Sequence, residues 1–399
     1  PAFTGAPTVP TAATGTSTTQ IASTAFVAAA QGGGLRTLTP IFRAMLELTR
    51  PALLPIPPRV VPYRITGATR YVDPAVVGPG TGTFADPFKS PASATLAAGD
   101  GLLFKAGTTT TLTAAIVPAV AGTIVAPIVI GVYDGASTAV DKRIYSRQGM
   151  AAINCGGLAI SAVLVQNKRF VCIDGLAFTN NTGASPFVLV QQNSQGSQIL
   201  NCSAVGGQNH IQAGGWESDH AIEGCSSVGA TKWGISLLIT YNDSASRVQF
   251  NRVTGCGERS ILVFDNYESF SFSGTIACNV VQDSATALED GIWLIVKGGA
   301  PKIFRNTVRR CKIGIGFVSS FASSTAMSDF SGAVIENNDV SNCEFNVSLG
   351  LCSGSWLIQY NRLIDAGSLT GAAPVTTAAF GRNIELFGLS DTTNLVRDG

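Results

Sequence analysis

From Tyr71 onward the chain reads as short runs of Val, Ile and Phe cut by Gly, Asn, Asp and Ser, the pattern of brief strands joined by tight turns. Within those runs one signature returns: an apolar residue followed three positions later by a small polar one. It occurs as Val171 with Asp174, Ile199 with Cys202, Ile222 with Cys225 and Val248 with Asn251. It continues as Ile276 with Asn279, Ile303 with Asn306, Ile335 with Asn338 and Ile358 with Asn361. Successive markers are 28, 23, 26, 28, 27, 32 and 23 residues apart, a repeat of variable length. Five consecutive markers are Asn, and Cys256, Cys311 and Cys343 each follow theirs by five positions.

A parallel β-helix accounts for both regularities. Its turns lie about 4.8 Å apart, so equivalent residues stack and inward Asn side chains can hydrogen-bond along the stack. A propeller blade takes four strands in about 40 residues, longer than most intervals here, and a leucine-rich repeat needs a helix or dense Leu pattern that this chain lacks. The cysteines then serve as small apolar fillers. Their odd number, nine, and their absence before Cys155 favour buried reduced thiols over a disulfide framework.

The first 34 residues are rich in Thr, Ala, Gly and Pro and end in Gly32-Gly33-Gly34, which reads as an arm and linker. Thr18 to Ala30 is a candidate short helix. Thr39 and Pro40 supply a cap and first turn for a second, with Ile41, Ala44, Met45 and Leu48 on one face. Pro51, Pro55, Pro57, Pro58 and Pro62 then favour an extended, stiff connector that holds the arm away from the strand-rich region.

Charged residues are 13% of the 399 and hydrophobic ones 45%, against roughly a quarter charged in an ordinary soluble domain. That composition argues against disorder. A net charge of +1 with no basic run argues against nucleic acid as a partner. The longest apolar stretch, Ala114 to Val132, is broken by Pro118, Gly122 and Pro127, so no membrane insertion is expected. The start, Pro1-Ala2-Phe3-Thr4, is not that of a secretory signal and suggests a product made in the cytoplasm. No CxxC pair occurs and the only histidines are His210 and His220, so neither a metal nor another cofactor is expected.

Two segments resemble known families. Pro10 to Val27, with Gly15-Thr16-Ser17-Thr18-Thr19-Gln20-Ile21-Ala22-Ser23-Thr24-Ala25-Phe26-Val27, resembles the short tail-fibre repeat of tailed bacteriophages, with Ser23 in place of the usual Thr. Tyr71-Val72-Asp73, Asp86-Pro87-Phe88, Ala98 to Thr108 and Pro127 to Tyr133 resemble the opening turns of right-handed β-helix proteins of the pectate-lyase-like class. That class holds polysaccharide lyases, glycoside hydrolases and phage tailspikes. The expected fold class is therefore all-β, a right-handed single-stranded parallel β-helix preceded by a short extended or helical N-terminal arm. The expected domains are a virion-attachment arm at 1–34, a helix and Pro-rich connector at 35–65, the β-helix at 66–366 and a cap or tail at 367–399.

The resemblance implies a tail fibre or tailspike subunit located in the virion's tail. It would bind other tail or baseplate proteins through the arm and host-surface polysaccharide through the β-helix. It also implies a homotrimer, although only about 30 residues follow the last repeat and no family-type trimerisation domain is evident there.

The second strand of each turn aligns Ile211, Ile235, Ile261, Ile292, Ile315 and Val347 in one column. Reading outward from that column brings together Trp216, Glu217 and Asp219; Tyr241, Asn242 and Asp243; and Asp265, Asn266, Tyr267 and Glu268, with Lys297 one turn on. Sugars stack their apolar faces on aromatics and bond their hydroxyls to carboxylates and amides, so Trp216, Tyr241, Asn242, Tyr267 and Lys297 are candidate glycan contacts. Carboxylates one or two turns apart stand about 5 or 10 Å apart, a range that brackets the retaining and inverting spacings of glycosidases. Asp243, Asp265, Glu268 and Glu217 are the candidate catalytic groups on that reading. On the alternative reading these acids simply cap turns. A lyase would need a base, for which His210, His220, Lys232, Lys297 or Tyr241 is available. A non-catalytic tail protein with the β-helix as a rigid spacer, or a bacterial extracellular polysaccharide lyase, are the competing functions.

Overall fold

The computed structural model describes residues 54–135, 149–157, 159–215, 219–265, 269–282, 290–318, 328–350 and 352–364, with the backbone of Arg382–Phe387 and Leu395–Arg397. These residues wind into a parallel β-solenoid of about nine turns. Three sheets, A, B and C, of 12, 10 and 9 strands run its length. Each turn gives one strand to each sheet: Gln198–Leu200, Ser203–Val205 and Ile211–Gly215 in one, then Ala221–Glu223, Ser226–Val228 and Trp233–Ile239 in the next. A single helical turn is formed by Pro91–Ser93.

The repeat read from sequence is the stacking register. Ile199, Ile222, Val248, Ile276, Ile303, Ile335 and Ile358 face one another on successive strands of sheet A and are all buried. The first marker is the exception. Ile199 pairs with Ile173, not Val171, so the position expected for Asp174 belongs to Leu176. Val171 and Ile173 are two apart on one strand and share its inward face, so alternation alone cannot tell them apart. Gly175, with φ +77°, sets the corner, and Asp174 instead faces outward and accepts a hydrogen bond from Asn201 Nδ2 at 2.9 Å.

The five marker asparagines form an unbroken internal ladder. From Asn279 to Asn361 each Oδ1 accepts from the backbone N–H and the Nδ2 of the asparagine one turn earlier, at 2.8–3.0 Å, and Asn251 Oδ1 accepts from Cys225 N at 2.8 Å. Each Nδ2 also donates to a carbonyl of the preceding turn, from Ile222 for Asn251 to Ile335 for Asn361. The need arises from the backbone. The residue before each marker, Phe250, Cys278, Arg305, Asn337 or Tyr360, has φ between +52° and +57°. That left-handed bend costs an L-residue about 1 kcal/mol or more and interrupts the sheet's own hydrogen bonding. The amide column restores it. In the earlier turns Cys225 Sγ donates to Ile199 O at 3.4 Å and Cys202 Sγ to Ile173 O at 3.7 Å, so a thiol makes one of the bonds an amide would make. At the corner after sheet B the cysteines Cys256, Cys311 and Cys343 are buried fillers, as their spacing suggested.

The arm and the two helices expected before Pro51 lie outside the described residues, and the proline-rich connector itself lies on the solenoid. Residues 54–65 lie along the outer face of sheet A as an extended strap, within the same compact unit as the strands. Glu336 Oε1 accepts from Leu54 N at 2.6 Å, and Glu223 Oε2 from Val60 N at 2.8 Å. Gln249 donates to Pro58 O, and Gln198 bonds both Val61 O and Tyr63 N. Leu54 and Val60 are six residues apart, about 19 Å in the polyproline II conformation. Their anchors are four strands apart in sheet A, also about 19 Å. The prolines therefore set a pitch that matches the sheet. Val60, Tyr63 and Ile65 cover Val129, Cys172 and Leu200, which would otherwise be exposed.

Replacing Asn279 by Ala removes the acceptor for Asn251 N and Nδ2, leaves Val248 O without its side-chain donor, and leaves Asn306 Oδ1 with only the backbone N–H of residue 279. At about 1–3 kcal/mol per stranded buried group, the variant is expected to lose at least about 3 kcal/mol of stability. Urea unfolding followed by circular dichroism measures it, and an unshifted midpoint would show that the ladder is dispensable.

Candidate functional site

The column from Ile211 to Val347 keeps its expected register, inward on sheet C with each residue paired with the next, but sheet C supplies the third strand of each turn and not the second, because a short sheet B strand comes between. Of the candidate site residues, Trp216, Glu217, Tyr267 and Glu268 lie outside the described residues. The other five fall at the corner after sheet C. Asp243 is 4% exposed and its Oδ1 accepts from Ala245 N at 3.1 Å and Ser246 N at 2.9 Å. Asp265 is 1% exposed and its Oδ2 accepts from Ser269 N and Phe270 N, both at 2.7 Å. This hydrogen bonding gives both carboxylates the turn-capping role.

Around those caps the corner presents a different chemistry. Tyr241 is 58% exposed, with its ring centroid 6.3 Å from that of Phe270 on the next turn. Asn242 Oδ1 accepts from both Ser271 N and Ser271 Oγ at 3.0 Å. The exposed Lys297 comes one turn later, its N–H bonded to Phe270 O at 3.1 Å. Tyr241 and Asn242 on one turn and Lys297 two turns on are thus brought to one corner.

The strands leading to that corner carry a surface the sequence reading missed. On the outer face of sheet C, Ser236, Leu262, Trp293 and Gly316 stand in one row, and Leu238, Phe264, Ile295 and Val318 in another. Trp293 lies across Gly316 so closely that a Cβ there would fall within 2 Å of its ring. Trp293 and Leu262 form a buried floor, on which Trp233 and Phe264 sit half-exposed with centroids 5.3 Å apart. Trp233 Nε1 donates to the exposed Glu258 Oε2 at 3.0 Å, and Arg259 lies 3.6 Å from Asp290 at the same edge. A strand with one wet face alternates apolar and polar residues. The unbroken Ile261-Leu262-Val263-Phe264 was the available signal that this outer face is apolar.

Solved structures with a similar backbone are carbohydrate-active β-helix proteins. A GH136 lacto-N-biosidase from Eubacterium ramulus matches with a TM-score of 0.43 at 14% identity, over 80% of this chain and 68% of that one. The pectate lyase Pel9A matches with 0.41 at 12%, over 84% and 80%. A rhamnogalacturonan lyase matches with 0.37 at 10%, over 83% and 90%. At that level the likeness is one of backbone path. No known family and no curated protein matches the sequence.

Of the candidate bases, Lys232 and Lys297 are exposed, and His220 is buried with its N–H bonded to Ser246 Oγ at 2.8 Å. His210 lies wholly inside. Its Nε2 donates to Gly206 O at 2.7 Å, which leaves Nδ1 to accept from Ser227 Oγ at 2.8 Å. Burial pushes its pKa down from 6.5 to about 4, so it is a neutral, satisfied interior residue. Among the described residues no group of three or more His, Cys, Asp or Glu converges on a metal position.

The depressed His210 pKa fixes the sign of a pH effect. Its stabilising contribution is complete above pH 6.5, where the unfolded side chain is also neutral, and is lost as pH falls toward about 4. Between pH 7 and pH 5 the urea midpoint of the wild type is expected to fall further than that of His210→Gln. Parallel declines in the two proteins would remove His210 as the source.

Proposed function

We propose that this chain is a bacteriophage tail fibre or tailspike subunit that binds host-surface polysaccharide along the outer face of sheet C and the corner after it. The observation that carries the binding surface is the placement of two aromatic pairs. Trp233 with Phe264 and Tyr241 with Phe270 bridge the same two neighbouring turns: the first pair spans from the start of one sheet C strand to near the end of the next, and the second lies just beyond that end. Ring faces in a row, with Asn242, Glu258, Arg259 and Lys297 at their margins, suit a chain of sugars whose faces are apolar and whose edges are polar. The virion role rests on the tail-fibre-like run from Pro10 to Val27. On this reading the arm joins other tail or baseplate proteins and the subunit works as a homotrimer.

Cleavage of the bound glycan is a second reading, favoured by Glu258. Its carboxylate is exposed beside the Trp233 indole, where a group acting on a glycosidic oxygen has to stand. With Asp243 and Asp265 capping turns, Glu258 is the better-placed acid among the described residues. Glu217 and Glu268 stay candidates from the sequence.

Titration calorimetry with purified host polysaccharide tests the surface. Trp233→Ala and Tyr241→Ala are each expected to weaken binding about tenfold, since an aromatic contact is worth about 1 kcal/mol beyond its buried area. Unchanged dissociation constants in both would sink the site. Reducing ends and unsaturated-uronate absorbance, read on the same mixtures, separate the chemistries: reducing ends alone mean hydrolysis, both signals mean elimination, and neither means an adhesin.

A further inference from the structure

We propose that the convex apolar segment at the first turns, residues 113–125, is a contact surface for a lipid bilayer with anionic headgroups. The longest apolar stretch of the chain, Ala114 to Val132, divides in two. Ile128–Tyr133 is a buried strand of sheet A, whereas Val117, Val120, Ile124 and Val125 are exposed. No charged residue occurs between Lys105 and Asp134. Apolar side chains exposed singly are ordinary, but several on one short uncharged segment mark a contact surface.

The shape of the segment suits a soft partner. Ile124 and Val125, 70% and 77% exposed, are the two central residues of a tight turn. Thr123 N–H donates to Ala126 O at 3.0 Å, and Ala126 N–H donates to Thr123 O at 3.1 Å and to Thr123 Oγ1 at 3.0 Å. Both feet are pinned to the next turn, Gly122 N–H by Arg169 O and Ile128 N–H by Phe170 O, each at 3.0 Å. A braced apex that holds two branched apolar side chains in water is convex, and acyl chains can close around it without offering a matching groove. Beside it Pro91, Ala92, Leu96, Leu112, Ala115 and Val117 line a cavity of about 150 Å³, the size that admits a benzene-sized apolar group.

The margin supplies the charge. Lys168, half-buried, and Arg169, exposed, stand on the turn that pins the apex, and cations beside an apolar apex suit anionic headgroups. The described residues include no helix long and apolar enough to cross a membrane, so the contact is one of lying on the bilayer rather than spanning it.

The surface is continuous with the face that carries the aromatic rows. Ile116 bridges Val163 at the edge of sheet C, which sets Val117 outward beside Leu164. The same row runs on through Leu189, Gln212 and Ser236 to Leu262 and Trp293. Lipid contact goes beyond the glycan reading and is tested without sugar, so either can fail alone.

The experiment mixes the full chain with vesicles of phosphatidylcholine and phosphatidylglycerol and spins them through a density gradient. The chain is expected to float with the vesicles. The joint variant Ile124→Asp with Val125→Asp is expected to partition about tenfold less, and Lys168→Gln about fivefold less. Circular dichroism of both variants is expected to match the wild type, since the apex side chains pack against nothing that holds the fold. Wild type left at the bottom of the gradient, or either variant floating as well as wild type, would overturn the proposal. Failure to float, together with an oligomer in sedimentation equilibrium that the Asp pair disperses, would assign the surface to a second copy and overturn it too.

Discussion

Parallel strands stacked about 4.8 Å apart along one axis oblige each turn to place like residues above like. The rest of this structure depends on that constraint being met at the corners. Inside a sheet the backbone satisfies itself. At the bend after sheet A, a left-handed residue turns the chain and leaves polar groups pointing into an apolar interior. Burying them unpaired would cost several kcal/mol per turn. The Asn251 to Asn361 ladder removes that cost by running hydrogen bonds along the axis, each amide serving the turn before it. Because each link completes its neighbour, the column is cooperative.

The interior is repetitive, but the outward positions diverge from sheet to sheet. Sheet A carries a polar row neutralised by the strap. Sheet B shows small and β-branched residues and, toward the later turns, Arg309 and Arg362 sharing Asp339 at 3.1 and 3.0 Å. These are half-exposed surface pairs worth at most about 1 kcal/mol. Sheet C carries Phe264 and Trp293 in adjacent rows on its outer face in the middle turns, while the aromatics of the outer face of sheet A, Tyr71 and Tyr133, stand 5.0 Å apart at the first turns. Recognition can therefore differ between faces while one set of inward residues holds all three.

This division also explains what the sequence disclosed. The inward columns were legible because they repeat once per turn, and Ile211 to Val347 was read residue for residue. Val171 was misregistered with Ile173 because strand alternation repeats every two residues and both face inward. The seat of the strap left no local signal, since Leu54 meets a residue 282 positions away. Trp233, Phe264 and Trp293 were missed because outward positions do not repeat: the row through Trp293 reads Ser, Leu, Trp, Gly on successive turns. Tyr241, Asn242 and Lys297 were found because polar and aromatic residues clustered at a bend are unusual in so uncharged a chain.

Asp243 and Asp265 show why composition alone could not separate chemistry from architecture. An aspartate beside a tyrosine on neighbouring turns reads equally as an acid in a groove or as a cap beneath one. The hydrogen bonds resolve the two roles without disconnecting them. Asp265 Oδ2 grips Phe270 N, and Phe270 is the residue whose ring backs Tyr241. Asp243 fixes Ser246 N, while its own N–H and carbonyl hold Ser271 and Ser273 on the next turn. Neighbouring Asn242 completes the hold on Ser271. The carboxylates set the corner's backbone, and the backbone sets where the rings stand. On the proposed glycan reading, a surface held that way in advance would give up less side-chain and loop freedom on binding, which is how affinity is gained without added contact area.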